Sequence, residues 1–190
     1  MLKLLTYSWL LFADAAPAPV MPAPFTAARF RGHVAYLASD ELEGRDVGSA
    51  GSAKAMQYLV RHFQDAGLKG LGNQDDWYQE FPFGGKKKVA ARNVLAVFPG
   101  QGGLANEAII VSAHHDHLGI DPDLVKAGKD GIFNGADDNA SGCAALLLVA
   151  QALSAERARL PSSYRTVIFA SFDAEERGLA GSRYYVSHPL

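Results

Sequence analysis

The sequence predicts an α/β fold, and three stretches predict it. Residues 108–112 (AIIVS) and 166–171 (TVIFAS) are short, apolar and β-branched, the pattern of strands covered on both faces. Between them, residues 142–153 (GCAALLLVAQAL) form a long apolar run that reads as a core-facing helix, with Ser141 near its start. A strand, a helix and a second strand make a crossover unit, so the two strands should run parallel in one sheet.

The other elements follow in order. Residues 25–39 repeat apolar side chains at helical spacing (Phe30, Val34, Leu37) and end before the acidic stretch 40–43. Residues 44–51 are glycine-rich, and Ser49 or Ser52 is placed to cap a helix over roughly 53–66. That helix puts Met56, Leu59, Val60 and Phe63 on one face, and Gly67 stops it. Residues 77–83 read as an aromatic strand ending at Gly84-Gly85, and residues 93–98 as a second strand stopped by Pro99-Gly100. No internal repeat is visible.

Composition narrows the function classes. A chain of 190 residues suffices for one α/β domain, and 48% hydrophobic against 20% charged residues excludes a disordered segment. With 18 basic and 20 acidic side chains there is no electrostatic footprint for nucleic acid, and Lys86-Lys87-Lys88 reads as a solvated turn. The lone Cys143 rules out an internal disulfide and reads as a small buried hydrophobe. Lys3, the apolar stretch 4–13 and Ala13-Asp14-Ala15 form an export-signal pattern over residues 1–15. A Pro/Ala linker (residues 16–24, APAPVMPAP) and a domain over 25–190 follow. The expected location is secreted or periplasmic. The signal is too short to remain as a membrane span.

Ligand sites in open α/β sheets lie beyond the carboxyl ends of the strands. There the sequence concentrates metal-competent residues: Ala113-His114-His115-Asp116-His117 after the first buried strand, and Phe172-Asp173-Ala174-Glu175-Glu176 after the second. Asp137-Asp138-Asn139 stands at the head of the crossover helix. Singly, each has a bland explanation: a solvated loop, a solvated face, a helix cap. Their convergence on one sheet edge does not. Imidazole and carboxylate donors suit Zn²⁺ and related ions. Asp116 is placed to accept the second ring N–H of His114, and two adjacent glutamates suggest one ligand and one proton acceptor.

The segments AHHDHLG (113–119), NGADDNASG (134–142) and FDAEERGLAGS (172–182) resemble those of the co-catalytic dizinc aminopeptidases. LASDELEGRDVGSAG (37–51) looks like the upstream helix and loop of their secreted bacterial, leucyl-aminopeptidase-like members. The resemblance implies a three-layer α/β/α sandwich with a mixed, largely parallel central sheet. It implies His114 as a ligand of one zinc, oriented by Asp116, with Asp138 bridging two zinc ions and a cis peptide before Asn139. Glu176 would bind the second zinc, and Glu175 would be the general base. His115 stands where the family often has an aromatic residue, and His117 is expected to be structural. The sequon Asn139-Ala140-Ser141 would then lie inside the site and not carry a glycan. A further Asp and His ligand lie downstream of Leu190 in that family, so the chain is expected to be a C-terminally truncated portion with weak zinc binding. Its implied partner is a peptide substrate. Two alternatives stay open: a dizinc carboxypeptidase or amidohydrolase on the same scaffold, and a non-catalytic binding module.

Overall fold

A computed structural model describes residues 25–72, 76–85 and 89–190. The expected signal, the Pro/Ala linker and the Lys86-Lys87-Lys88 turn lie outside them.

Helix α1 (Ala27–Leu37) begins where the Thr26 hydroxyl accepts from the Arg29 N–H, and α2 (Ala50–Asp65) where Ser49 accepts from the Ser52 N–H. Each cap satisfies an N–H that has no partner within its helix. Gly67, at φ 69°, turns the chain out of α2 as expected. Strands β1 (Lys69–Gly70), β2 (Tyr78–Phe83), β3 (Val89–Phe98) and β4 (Ala108–His114) follow. A small excursion then carries β5 (Gly119–Ile120), α3 (Pro122–Lys126) and β6 (Ile132–Phe133). The crossover helix α4 (Ser141–Ala155), β7 (Thr166–Phe172) and α5 (Ala180–Ser187) complete the chain.

The main sheet has the order β1-β3-β7-β4, with β2 also paired to β3. Alternation along β3 divides two faces. Val94, Ala96 and Phe98 pack with Met56, Leu59 and Phe63 of α2 and with Cys143, Leu146, Leu147 and Ala150 of α4. Leu95 and Ala170 turn the other way, onto Tyr185 of α5. Helices therefore cover both faces, giving the α/β/α sandwich. The crossover unit is parallel as expected, with Ala108 opposite Thr166 and His114 opposite Phe172.

The sheet is mixed as expected: among the described strands β4 and β7 are parallel, and β3 runs antiparallel to β1, β2 and β7. The β2–β3 hairpin extends β3 back to Val89, where Phe83 pairs with it, ahead of the stretch that its apolar content marks. One expectation needs correction: β4 is not covered on both faces. Among the described strands it lies at the sheet edge, and Ile109 and Ile110 are 47% and 50% exposed. Among the described residues, no helix is long and apolar enough to cross a membrane.

Candidate metal centre

The parallel pair delivers its chemistry to one end. His114 is the last residue of β4, Glu175 and Glu176 follow β7 directly, and Asp138 lies in the irregular turn that leads into α4. All five sequence-predicted residues come together. The His114 Nε2 lies 3.0 Å from Asp138 Oδ1 and 3.9 Å from Glu175 Oε2. Donors that share a tetrahedral zinc with bonds of about 2.0–2.1 Å are separated by about 3.3 Å, so the first distance suits a shared ion. Asp138 is largely exposed, with His114 nearly covered beside it, so the cluster opens to solvent. The Asp138–Asn139 peptide bond is cis.

Asp116 does more than the sequence indicates. Its carboxylate is buried, with Oδ1 accepting from the Glu175 N–H (3.0 Å) and Oδ2 from the Glu176 N–H (3.2 Å). The turn bearing both glutamates is thus clamped to the β4 loop. Toward His114 the carboxylate is less direct: Oδ1 is 3.6 Å from Nδ1, and the nearer acceptor is the Asp116 carbonyl at 3.2 Å. Burial disfavours the Asp116 carboxylate, but His114 and the two N–H groups outweigh that and hold its pKa below the usual range. Burial likewise opposes charging His114, yet Asp116, Glu175 and Asp138 outweigh it and raise the imidazole pKa. The site is an acidic field that favours a cation.

His117, expected to be structural, stands in the cluster. Donor atoms of His117, Asp138 and Glu176 lie within 4.8 Å of one another. The His117 Nδ1 to Glu176 Oε1 distance is 2.6 Å, shorter than two donors on one ion and typical of a charge-assisted hydrogen bond. His117 therefore orients Glu176 in this geometry. Its signal was its place in the HHDH run itself. The imidazole and carboxylate donors present fit zinc in kind.

The surroundings are sealed. Cys143 is fully buried, its thiol pushed up to about 11 by burial, and it donates to the His114 carbonyl at 3.1 Å. Asn139 is half-buried, and its Oδ1 accepts from the Gly142 N–H at 2.9 Å in the turn that leads into α4.

Residues 93–190 match the profile of peptidase family M28. Among solved structures, LapB from Legionella pneumophila is similar at 26% identity and a TM-score of 0.56, covering 84% of this chain and 38% of LapB. The glutaminyl cyclase of Fimbriiglobus ruber is similar at 25% identity and 0.57, over 85% of this chain and 49% of that one. A Zn-dependent exopeptidase from Parabacteroides distasonis shares the fold at 22% identity and a TM-score of 0.63, over 87% and 56%. The chain thus spans between about two fifths and somewhat over half of these structures' lengths. The match covers more than half of the sequence and includes every residue of the clustered site, so the chain belongs to peptidase family M28.

Proposed function

We propose that this chain carries the N-terminal part of a zinc aminopeptidase site, acting on the N-terminal peptide bond of a peptide outside the cytoplasm. The observation that carries the reading is His114 Nε2 at 3.0 Å from Asp138 Oδ1, with the Glu175 carboxylate beside the same nitrogen. His114 and Asp138 would hold one zinc, and Glu176 with Asp138 a second. Bound zinc would supply Lewis-acid activation of water and of the scissile carbonyl. The chain's own residues supply the rest. Glu175, half-exposed and fixed at its N–H by Asp116, takes a proton from the attacking water and returns it to the leaving amine. His117 and Asp116 keep the two glutamates apart in role, one turned to His117 and the other facing His114. Export rests on the signal pattern of residues 1–15.

A second reading is favoured by the resemblance to the Fimbriiglobus ruber glutaminyl cyclase. In such a reaction on this chain the α-amine of an N-terminal Gln would displace ammonia from its own side-chain amide, and Glu175 would pass the amine's proton to the departing ammonia. The test is to incubate the zinc-loaded protein with aminoacyl arylamides and glutaminyl peptides. Arylamine release supports the aminopeptidase. Ammonia release without peptide-bond cleavage supports the cyclase, and release of C-terminal residues only would overturn both.

A further inference from the structure

Residues 40–45 form a tight turn in which Glu43, Gly44 and Arg45 have φ of 50°, 67° and 54°. Left-handed backbone is uncommon for residues other than glycine, and its use here directs the Arg45 side chain inward. The guanidinium is only 1% exposed. It donates through Nε to the His115 carbonyl at 2.9 Å and through Nη1 to the Leu37 and Asn134 carbonyls, the latter at 2.7 Å. Nη2 reaches the Gly135 carbonyl at 3.0 Å, and the Arg45 carbonyl accepts from the His117 N–H at 3.2 Å. One side chain therefore ties the end of α1 to the loop bearing His114 and His117 and to the loop that leads into Asp138.

Among the described residues no carboxylate pairs with this cation directly, although the charges of Asp116 and Asp138 lie near enough to favour it against its burial. A buried charge is costly unless every donor is satisfied. The planar fork of arginine reaches these four carbonyls from three nitrogens held in fixed directions, whereas an ammonium has three donors on a single nitrogen and cannot span them. The second observation is Gly135, at φ 58°. A Cβ there would stand 2.3 Å from the Asp138 carbonyl oxygen, 2.6 Å from His117 Cδ2 and 2.7 Å from Arg45 Nη2. The Asp138 loop is wrapped directly onto the guanidinium and the His117 ring.

We propose that Arg45 is the positioning residue of the metal centre, holding the loops of His114 and Asp138 at the separation that a shared ion requires. The proposal rests on the metal-centre reading above. Arg45 touches no reacting group; it acts through the two loops.

The test titrates Zn²⁺ calorimetrically, and Co²⁺ by its absorption spectrum, into the wild-type chain, Arg45→Lys and Arg45→Gln, with metal-free melting temperatures recorded alongside. Arg45→Lys keeps the charge but loses the fork. The expected result is a folded protein that binds Zn²⁺ about 10–100-fold more weakly, the range for partners that orient ligands, with an altered Co²⁺ spectrum. Lower melting temperature with unchanged affinity and spectrum would make Arg45 a strut of the fold only, and would overturn the proposal. If neither variant folds, amide hydrogen exchange is read on the metal-free wild-type chain, following the His117 N–H that donates to the Arg45 carbonyl and the backbone of the Asp138 loop that the guanidinium holds. Protection of both segments before Zn²⁺ is added supports the proposal, and protection that appears only with Zn²⁺ overturns it. A wild-type chain that binds no Zn²⁺ removes the metal-centre reading itself, a result distinct from equal binding by wild type and variants.

Discussion

Asp116 sits on the short loop that leaves β4, and both its oxygens are occupied by backbone N–H groups of the turn after β7. Replacing it with asparagine leaves one of those N–H groups without an acceptor. Asp116→Asn should therefore cost about 1–3 kcal/mol, the penalty for a buried unsatisfied group, measurable by urea denaturation. The sign with pH follows from its depressed pKa. Its stabilisation is complete above the unfolded carboxylate value near 3.9 and is lost as pH falls through the lower folded value. The variant should lack that acid limb. The two glutamates separate by a different measurement. Glu175→Gln should lower turnover of the zinc-loaded enzyme by about 10²–10⁴-fold with metal content retained. Glu176→Gln should lose metal instead, and the opposite pattern would mean that the roles are exchanged. Nearby, Ser171, His115 and Asp173 imitate a hydrolytic triad, with His115 Nδ1 3.1 Å from Ser171 Oγ and Nε2 3.7 Å from Asp173 Oδ1. All three are buried to 1% exposure or less, so no substrate reaches them and they back the metal cluster from within.

Helices α1 and α2 meet through a polar aromatic patch. The His33 Nδ1 is 2.8 Å from the Tyr58 hydroxyl, and its ring packs edge-on against His62 at 4.8 Å. Burial, then the neighbouring His62 and Arg29, lower the His33 pKa to about 4, and burial lowers that of His62 as well. In the unfolded chain His33 titrates near 6.5, so between pH 6.5 and 4 the unfolded state binds more protons. Stability should rise with pH across that window, and His33→Gln should flatten the melting temperature plotted against pH there. The β4 edge makes a separate prediction. Ile110 is half-exposed on an edge strand, the arrangement that templates aggregation. Ile110→Lys should reduce aggregation in light scattering while shifting stability by no more than about 0.5 kcal/mol. The main elements were legible because each carries a periodicity or a cap: Ser49 before α2, Gly67 after it, and the apolar runs of β4, α4 and β7. The β5–β6 excursion was not, since two-residue strands have no period to read. The antiparallel course of β3 was not legible either, because strand direction depends on which distant strand it meets.

At the scale of the molecule, the site is made by topology. A parallel pair brings His114 and the two glutamates to one edge, and the crossover between the strands returns Asp138 to the same place. That much could be read from three clusters at three strand or helix ends. What could not be read was the support: Asp116 clamping the glutamate turn, His117 on Glu176, and Arg45 joining three segments. Those contacts join residues far apart in sequence, and no local pattern encodes them. Metal should be coupled to stability accordingly. Zinc at about 100 times its Kd should stabilise the chain by ~2.7 kcal/mol, seen as a melting temperature that rises by several degrees and falls again with chelator. The most direct measurement is a crystal structure of the chain grown with Zn²⁺, with anomalous data at the zinc edge. The account predicts a peak about 2.0–2.2 Å from both His114 Nε2 and an Asp138 carboxylate oxygen. Absence of density there, or zinc only at other histidines such as His33 and His62, would contradict it.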